Sequence, residues 1–332
     1  MGDGPTDPPL RQLTRLRTEA SIATAKMAAG LFGENSIPGG EFAAVARICL
    51  RDWAQGSALA RPAVAKRKLS VRKLSNSLGA PRETTRRQCT ELIDRGIFAA
   101  APQGVFLALT EANEALVLRY YDAVHDWLVR LIEDAHSTCD IAWPVAERAS
   151  FGVADVIERS LDMLLQPVDT FRLPGMSRLA HLLWGALAAV AVRGVTFDPV
   201  LSRRYANAIP PDALRAGISL RRLSAAMRIP YATAWRQMQM LEEKGFATRL
   251  ANDRWAVLES NLSRQPVRDI ATTPSTLLLP RLRELAALGL NPARAADHYR
   301  VGRPALIDFG DVASRSKTRE GESPKMSRTE TL

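Results

Sequence analysis

The chain has 332 residues, of which 46% are hydrophobic and 24% charged. That length suits two domains of ordinary size, and that composition excludes a largely disordered or fibrous chain. Three cysteines far apart, Cys49, Cys89 and Cys139, exclude a disulfide framework and a paired-cysteine metal knuckle, and a formal charge of +10 counts for an acidic partner only where the cations cluster.

Residues 1–9 are rich in Pro, Gly and Asp and read as a flexible N-terminus. No basic stretch followed by an apolar run is present there, so no secretory signal is expected and a cytoplasmic setting fits. Leu10 to Ala54 reads as helices, with Glu41 to Trp53 supplying the first helix of a domain over 10–110. The pair Gly30 and Gly33 is too slight a pattern for a nucleotide loop. From Arg61 to Arg95 ten Lys or Arg face three acids, a net of +7.

Inside that island begins a segment that recurs. Residues 70–96 lie without a gap on residues 219–245, and ten of the 27 positions are identical, among them Ser70/Ser219, Leu74/Leu223, Pro81/Pro230, Thr84/Thr233, Arg87/Arg236, Gln88/Gln237, Leu92/Leu241 and Gly96/Gly245. Each copy starts on a serine suited to cap a helix. A short amphipathic helix follows, burying Leu74 and Leu78 or Leu223 and Met227. After a tight turn, Pro81 or Pro230 suits the first turn of a second helix. That helix buries Thr85, Cys89 and Leu92, or Ala234, Met238 and Leu241, at helical spacing. Glycine ends it in the left-handed conformation. Apolar runs around Pro102–Gly104 and around Asn252–Asp253 then predict a β-hairpin after each copy, over 97–108 and 246–258.

The run from Ser70 to Phe98, with its helix, turn, second helix and hairpin, resembles the DNA-binding module of bacterial winged-helix regulators of the MarR, GntR and IclR kind. Leu109-Thr110-Glu111-Ala112 resembles the MarR-type exit into a long dimerisation helix. The resemblance covers about 45 residues in each copy and implies double-stranded DNA as partner. The expected fold is mainly α with small β-wings: two winged helix-turn-helix domains joined by helices.

In such a module the outward residues near the start of the second helix meet base edges in the major groove. In the first copy these are Arg82, Glu83, Arg86 and Thr90; arginine bridges guanine O6 and N7, and glutamate accepts from cytosine N4. Tyr231, Trp235 and Gln239 hold the corresponding places in the second, with Ala232. Lys66, Arg67, Lys68, Arg72, Lys73, Thr84 and Arg87 in the first copy suit phosphate oxygens, as do Arg221, Arg222, Thr233 and Arg236 in the second. Arg249 and Arg254 are expected on a second wing that reaches a minor groove, whereas the first wing has no cation. The competing expectation for Tyr231 and Trp235 is packing. Cys89 falls on the buried stripe and reads as a core thiol.

Residues 111–172 carry five Arg against twelve acids, a net of −7, and read as a helical connector facing solvent or a partner. Val117, Tyr120, Val124, Leu128 and Leu131 make its apolar stripe, which suits either the chain's own core or a homodimer. The second domain spans 173–262, with net +5 from Arg215 to Arg254. Its stretch from Leu179 to Val192 would rise about 21 Å as a helix, short of the roughly 30 Å hydrocarbon core, so a buried helix and no membrane partner are expected. C-terminal helices over 263–305 and a disordered tail over 306–332 complete the chain.

His125, His136, His181 and His298 show no metal-ligand spacing, and no catalytic motif is present, so an enzyme, a metal and a cofactor are not expected. A small-molecule effector is compatible with the central helices, but no residue marks one. The leading expectation is a sequence-specific transcriptional regulator in the nucleoid. The alternatives are a replication initiator or chromosome-organising protein, and a winged-helix scaffold for protein partners.

Overall fold

Both copies of the repeat begin on a capped helix, and the caps are alike: Ser70 Oγ accepts the Lys73 N–H and Ser219 Oγ accepts the Arg222 N–H. The computed structural model describes residues 8–32, 39–55, 58–144, 146, 150–170 and 173–310. They are mainly helical, with a few small antiparallel sheets. In chain order, α1 (Leu10–Phe32) and α2 (Gly39–Trp53) precede a minimal hairpin of β1 (Ala54–Gln55) and β2 (Ala58–Leu59). The first copy holds α3 (Val71–Ser77), α4 (Arg82–Asp94), β3 (Phe98–Ala101) and β4 (Gly104–Leu107). The middle is α5 (Glu111–Thr138), α6 (Val153–Thr170), α7 (Arg178–Thr196) and α8 (Pro199–Arg204). The second copy holds β5 (Ile218–Ser219), α9 (Leu220–Met227), α10 (Tyr231–Glu243), β6 (Thr248–Arg249) and β7 (Arg254–Ala256). Two further helices, α11 (Glu259–Leu262) and α12 (Gln265–Ala287), lead to a 3-10 segment at Pro292–His298.

The two copies share their backbone detail. Gly79 and its counterpart Arg228 both turn the chain with φ of 52°. Gly96 and Gly245 end α4 and α10 at φ of 69° and 70°. Pro81 and Pro230 sit one place earlier than the sequence suggested: they are the N-cap residues, and their carbonyls accept the N–H of Thr85 and Ala234 to start each helix. The hairpins pair in equivalent register, Ala99 with Phe106 and Thr248 with Ala256, the second turn being one residue longer. A third strand position closes each sheet, Leu69 against Val105 and Ile218 against Trp255.

Two apolar cores result. One joins α2, the first copy and the N-terminal half of α5 around Phe42, Trp53, Leu74, Leu92, Phe98 and Tyr121. The other joins α1, α7, the second copy, α12 and the C-terminal half of α5 around Leu13, Leu131, Leu187, Leu223, Trp255 and Leu282. Although α1 lies in the 10–110 span assigned to the first domain, its Leu13, Leu16 and Ile22 belong to the core of the second copy. From Val124 to Ile132 every residue of α5 is buried, which is the pattern of a central helix rather than a surface one. Its apolar stripe is therefore consumed within the chain and offers a dimer no face there. Among the described residues one helix, Arg178–Thr196, is long and apolar enough to cross a membrane, and most of it is buried in the protein.

Six acids of the connector are held by the chain's own groups rather than left to solvent, although Glu111 and Asp140 are exposed. Asp162 and Glu158 of α6 hold Arg47 and Arg51 of α2. Asp122, Glu133 and Asp134 of α5 hold Arg300 and Arg303. Asp126 is buried and takes the N–H groups of Arg300, Val301 and Gly302 as well as His125 Nδ1 at 2.9 Å. These bonds lay residues 299–310 as a strap across α5. The strap ends with Ile307 and Phe309 buried and the Arg193 guanidinium over the Phe309 ring. The tail assigned to 306–332 thus starts too early, because Ile307 and Phe309 supply core contacts; the rest of that span, 311–332, lies outside the described residues, as do 1–7 of the N-terminus. Pro9 is already buried at the start of α1.

Candidate nucleic-acid interface

In each copy the second helix turns its apolar stripe inward and leaves the opposite face in solvent. Thr85, Cys89 and Leu92 are buried on α4, as are Ala234, Met238 and Leu241 on α10. The faces left outward are Arg82, Glu83, Arg86, Arg87 and Thr90 on α4, and Tyr231, Ala232, Arg236 and Gln239 on α10. Thr84 and Thr233 are half-buried at the edge of these faces. From the preceding helices Arg72 and Lys73, and Arg221 and Arg222, are exposed as well. Every cation inferred from the repeat is thus on the surface, because helical spacing fixes which positions the core can take.

Some of these side chains are held by their own chain. Arg86 Nε and Nη2 donate to the two oxygens of Glu83 at 2.9 and 2.6 Å, on a face where Arg86 is 62% exposed. Hydrogen bonding to Arg86 lowers the carboxyl pKa of Glu83, and the same bond raises that of Arg86. Thr90 Oγ donates to the Arg86 carbonyl, leaving its oxygen to accept. Arg67 is paired to Asp52 at 2.7 Å, and Asp52 also accepts the backbone N–H groups of Lys66 and Arg67. Lys68 reaches over the Phe106 ring of the first hairpin. By contrast Arg72, Lys73, Arg82, Arg87, Arg221 and Arg236 have no ion pair among the described residues.

Trp235 departs from the base-reading place given to it. It is half-buried, stacked on Tyr231 with centroids 6.4 Å apart, edge-on to the buried Trp255 of β7, and covered by the Arg249 guanidinium at 5.2 Å. An indole held on three sides braces helix against hairpin. Arg249 also pairs with Asp253 across the hairpin turn. Arg254 is half-buried and approaches the Gly217 carbonyl. Both cations of the second hairpin are therefore engaged within the chain, Arg249 by Asp253 and Trp235 and Arg254 by the Gly217 carbonyl. Tyr231, at 52% exposure, remains the outermost aromatic.

The two faces are linked by a contact the sequence did not announce. Ser177, the N-cap of α7, donates from Oγ to Gln237 Oε1 of α10 at 2.6 Å. Its neighbour Arg178 donates from Nη2 to Gln88 Oε1 of α4 at 3.2 Å and to the buried Glu41 of α2 at 2.8 Å. Gln88 and Gln237 are equivalent positions of the repeat, and each touches one residue of a single dipeptide. Their identity in both copies was the only available signal.

All three cysteines are buried free thiols. Burial pushes Cys89 up to about 12, so the thiol is the inert core group its position implied. Among the described residues no group of His, Cys, Asp and Glu is arranged to hold a metal ion. No family model, curated protein or solved structure matches the chain.

Proposed function

We propose that the chain is a sequence-specific double-stranded DNA-binding regulator with two winged helix-turn-helix heads. The observation that carries this reading is the repeated outward face, where Arg72/Arg221, Lys73/Arg222 and Arg87/Arg236 stand exposed at equivalent positions beside Thr84/Thr233. A second helix in the major groove sets such residues against phosphate oxygens on either side of the base edges. In the first head Arg82 and the Glu83–Arg86 pair, with Thr90, then meet bases. Their ion pair is exposed and exchangeable, so guanine can take Arg86 and cytosine N4 can take Glu83.

The second head works by different means. Tyr231 and Gln239 face outward while Trp235 supports Tyr231 from behind. An aromatic edge there suits a thymine methyl or the shape of the groove more than a hydrogen-bond code. That same surface favours a second reading for α10 alone, contact with a protein partner. A DNA-binding role would place the chain on the nucleoid.

Binding of the full chain to random duplex across a salt series tests the first reading. Affinity should fall steeply as salt rises, since each neutralised phosphate releases counterion. Selection from a random oligonucleotide pool should then yield a motif. Salt-independent or absent binding would remove DNA as the partner.

A further inference from the structure

A cavity of about 320 Å³ lies between α1 and α7 and extends to the turn between α9 and α10. That size is within the range of small-molecule sites, roughly 300–1,000 Å³. Its long walls are apolar, built from Ile22, Leu179, Leu182, Met227 and Ile229. Its polar lining is unbalanced: Arg11, Arg15, Arg17 and Arg215 contribute, and the described lining residues include no aspartate or glutamate.

Arg15 and Arg215 are 9% and 3% exposed. Arg15 donates from Nη1 to the Tyr205 carbonyl at 3.0 Å, but Nε and Nη2, on the side-on edge of the guanidinium, are buried with no partner. Arg215 donates from Nε to the Pro210 carbonyl and from Nη1 to the Val257 carbonyl, leaving Nη2 buried and unpartnered. Burial lowers each to about 10, so both remain charged at neutral pH. Arg11 and Arg215 add like-charge repulsion to the surroundings of Arg15. Arg215 is 3.5 Å from Asp212 and Arg11 is half-buried, so Arg15 is the buried arginine of the three with no ion pair among the described residues, a costly arrangement that is complementary to an anion.

The kind of anion follows from the free edge. The Nε/Nη2 edge is the fork that fits the two oxygens of a carboxylate. This chain uses it so elsewhere: Arg47 holds Asp162 by that edge at 2.8 and 3.2 Å, and Arg193 holds Glu19 at 2.8 and 2.5 Å. Arg15 lines the cavity and its same edge is buried without a partner, while the apolar walls of Ile22, Leu179 and Leu182 are interrupted by Thr14, Thr18, Ser21 and His181. We propose that this cavity binds a single-chain amphiphile with a carboxylate head, the head on Arg15 and Arg215 and the chain along α1 and α7.

Titration calorimetry of the full chain with laurate, below its micelle concentration, tests this. Saturable one-to-one binding is expected. Dodecanol, which keeps the chain and lacks the charge, should bind at least about tenfold more weakly, as should laurate to Arg15→Met, which keeps the arginine stem. Absence of saturable laurate binding, or equal affinity for laurate and dodecanol, overturns the proposal. Should Arg15→Met fail to fold, the laurate–dodecanol comparison on the unaltered chain decides. Neither measurement involves nucleic acid, so its outcome is separate from that of the DNA-binding reading.

Discussion

Arg86 presents its charge to solvent with Glu83 already beside it, while Arg87 on the same turn makes no salt bridge among the described residues and meets Glu83 only at longer range. The two arginines should therefore behave differently on DNA. On the DNA-binding reading, Arg87→Ala, or Arg236→Ala in the second copy, would remove one phosphate contact. Each should reduce the salt slope of binding by about one and weaken all sequences alike. Arg86→Ala should instead blur the preferred sequence with little change in slope, because the charge it removes was offset by Glu83. Glu83→Ala should raise affinity for random duplex and steepen the slope, since Arg86 is then free. Fluorescence anisotropy across salt concentrations, on a selected site and a scrambled one, separates these outcomes. The outward positions were legible from spacing alone. Their partners were not: an i,i+3 acid on α4 is visible in sequence, but nothing in it shows that Asp52 takes Arg67 or that Arg249 folds back over Trp235.

At the scale of elements, the repeated turn offers an internal comparison. Gly79 and Arg228 adopt the same left-handed backbone, which costs a residue with a Cβ about 1 kcal/mol. Arg228→Gly should relieve that strain and stabilise the chain by up to about 1 kcal/mol, measured by urea unfolding. Gly96→Ala imposes the same strain at φ of 69°, in open space, and should cost about 1 kcal/mol. The strap over α5 answers to pH. Burial works against a charged Asp126, yet the hydrogen bonds from His125 and from residues 300–302 outweigh it and hold its pKa below the ordinary aspartate value. The strap is then secure above about pH 4 and loosens as pH falls through the lowered value. Asp126→Asn should expose residues 299–310 to protease at neutral pH while the unaltered chain resists. Sequence reasoning found both repeated units, because short-range capping, glycine and periodicity signals set them. It missed the strap, whose stability comes from an aspartate more than 170 positions earlier in the chain.

Across the whole molecule, the thiols give a pH dependence of opposite sense. Burial pushes Cys49 up to about 11 and Cys89 and Cys139 up to about 12, from an ordinary value near 9. Between those limits the unfolded chain sheds thiol protons that the native chain keeps, so native protein binds more protons and stability falls as pH rises. Urea midpoints should decline from pH 9 upward, and replacing Cys89 with alanine should lessen that decline after allowance for its packing loss. The sequence showed two basic segments around an acidic one but not how they assemble. Net charge does not tell whether an acid meets water or its own chain, and here α6 and α5 spend their acids on Arg47, Arg51, Arg300 and Arg303. Likewise the sharing of α5 between two cores follows from tertiary packing, which no local pattern encodes.

Gln88 and Gln237 each grip one residue of Ser177–Arg178, so the distance between the two helices that carry them is clamped like the jaws of a caliper. Such an instrument measures one width. If both heads engage DNA together, inserting a few base pairs between the halves of a selected site should abolish joint occupancy rather than stretch it. Arg178→Ala, by slackening one jaw, should let the chain accept the lengthened site at some loss of grip on the original.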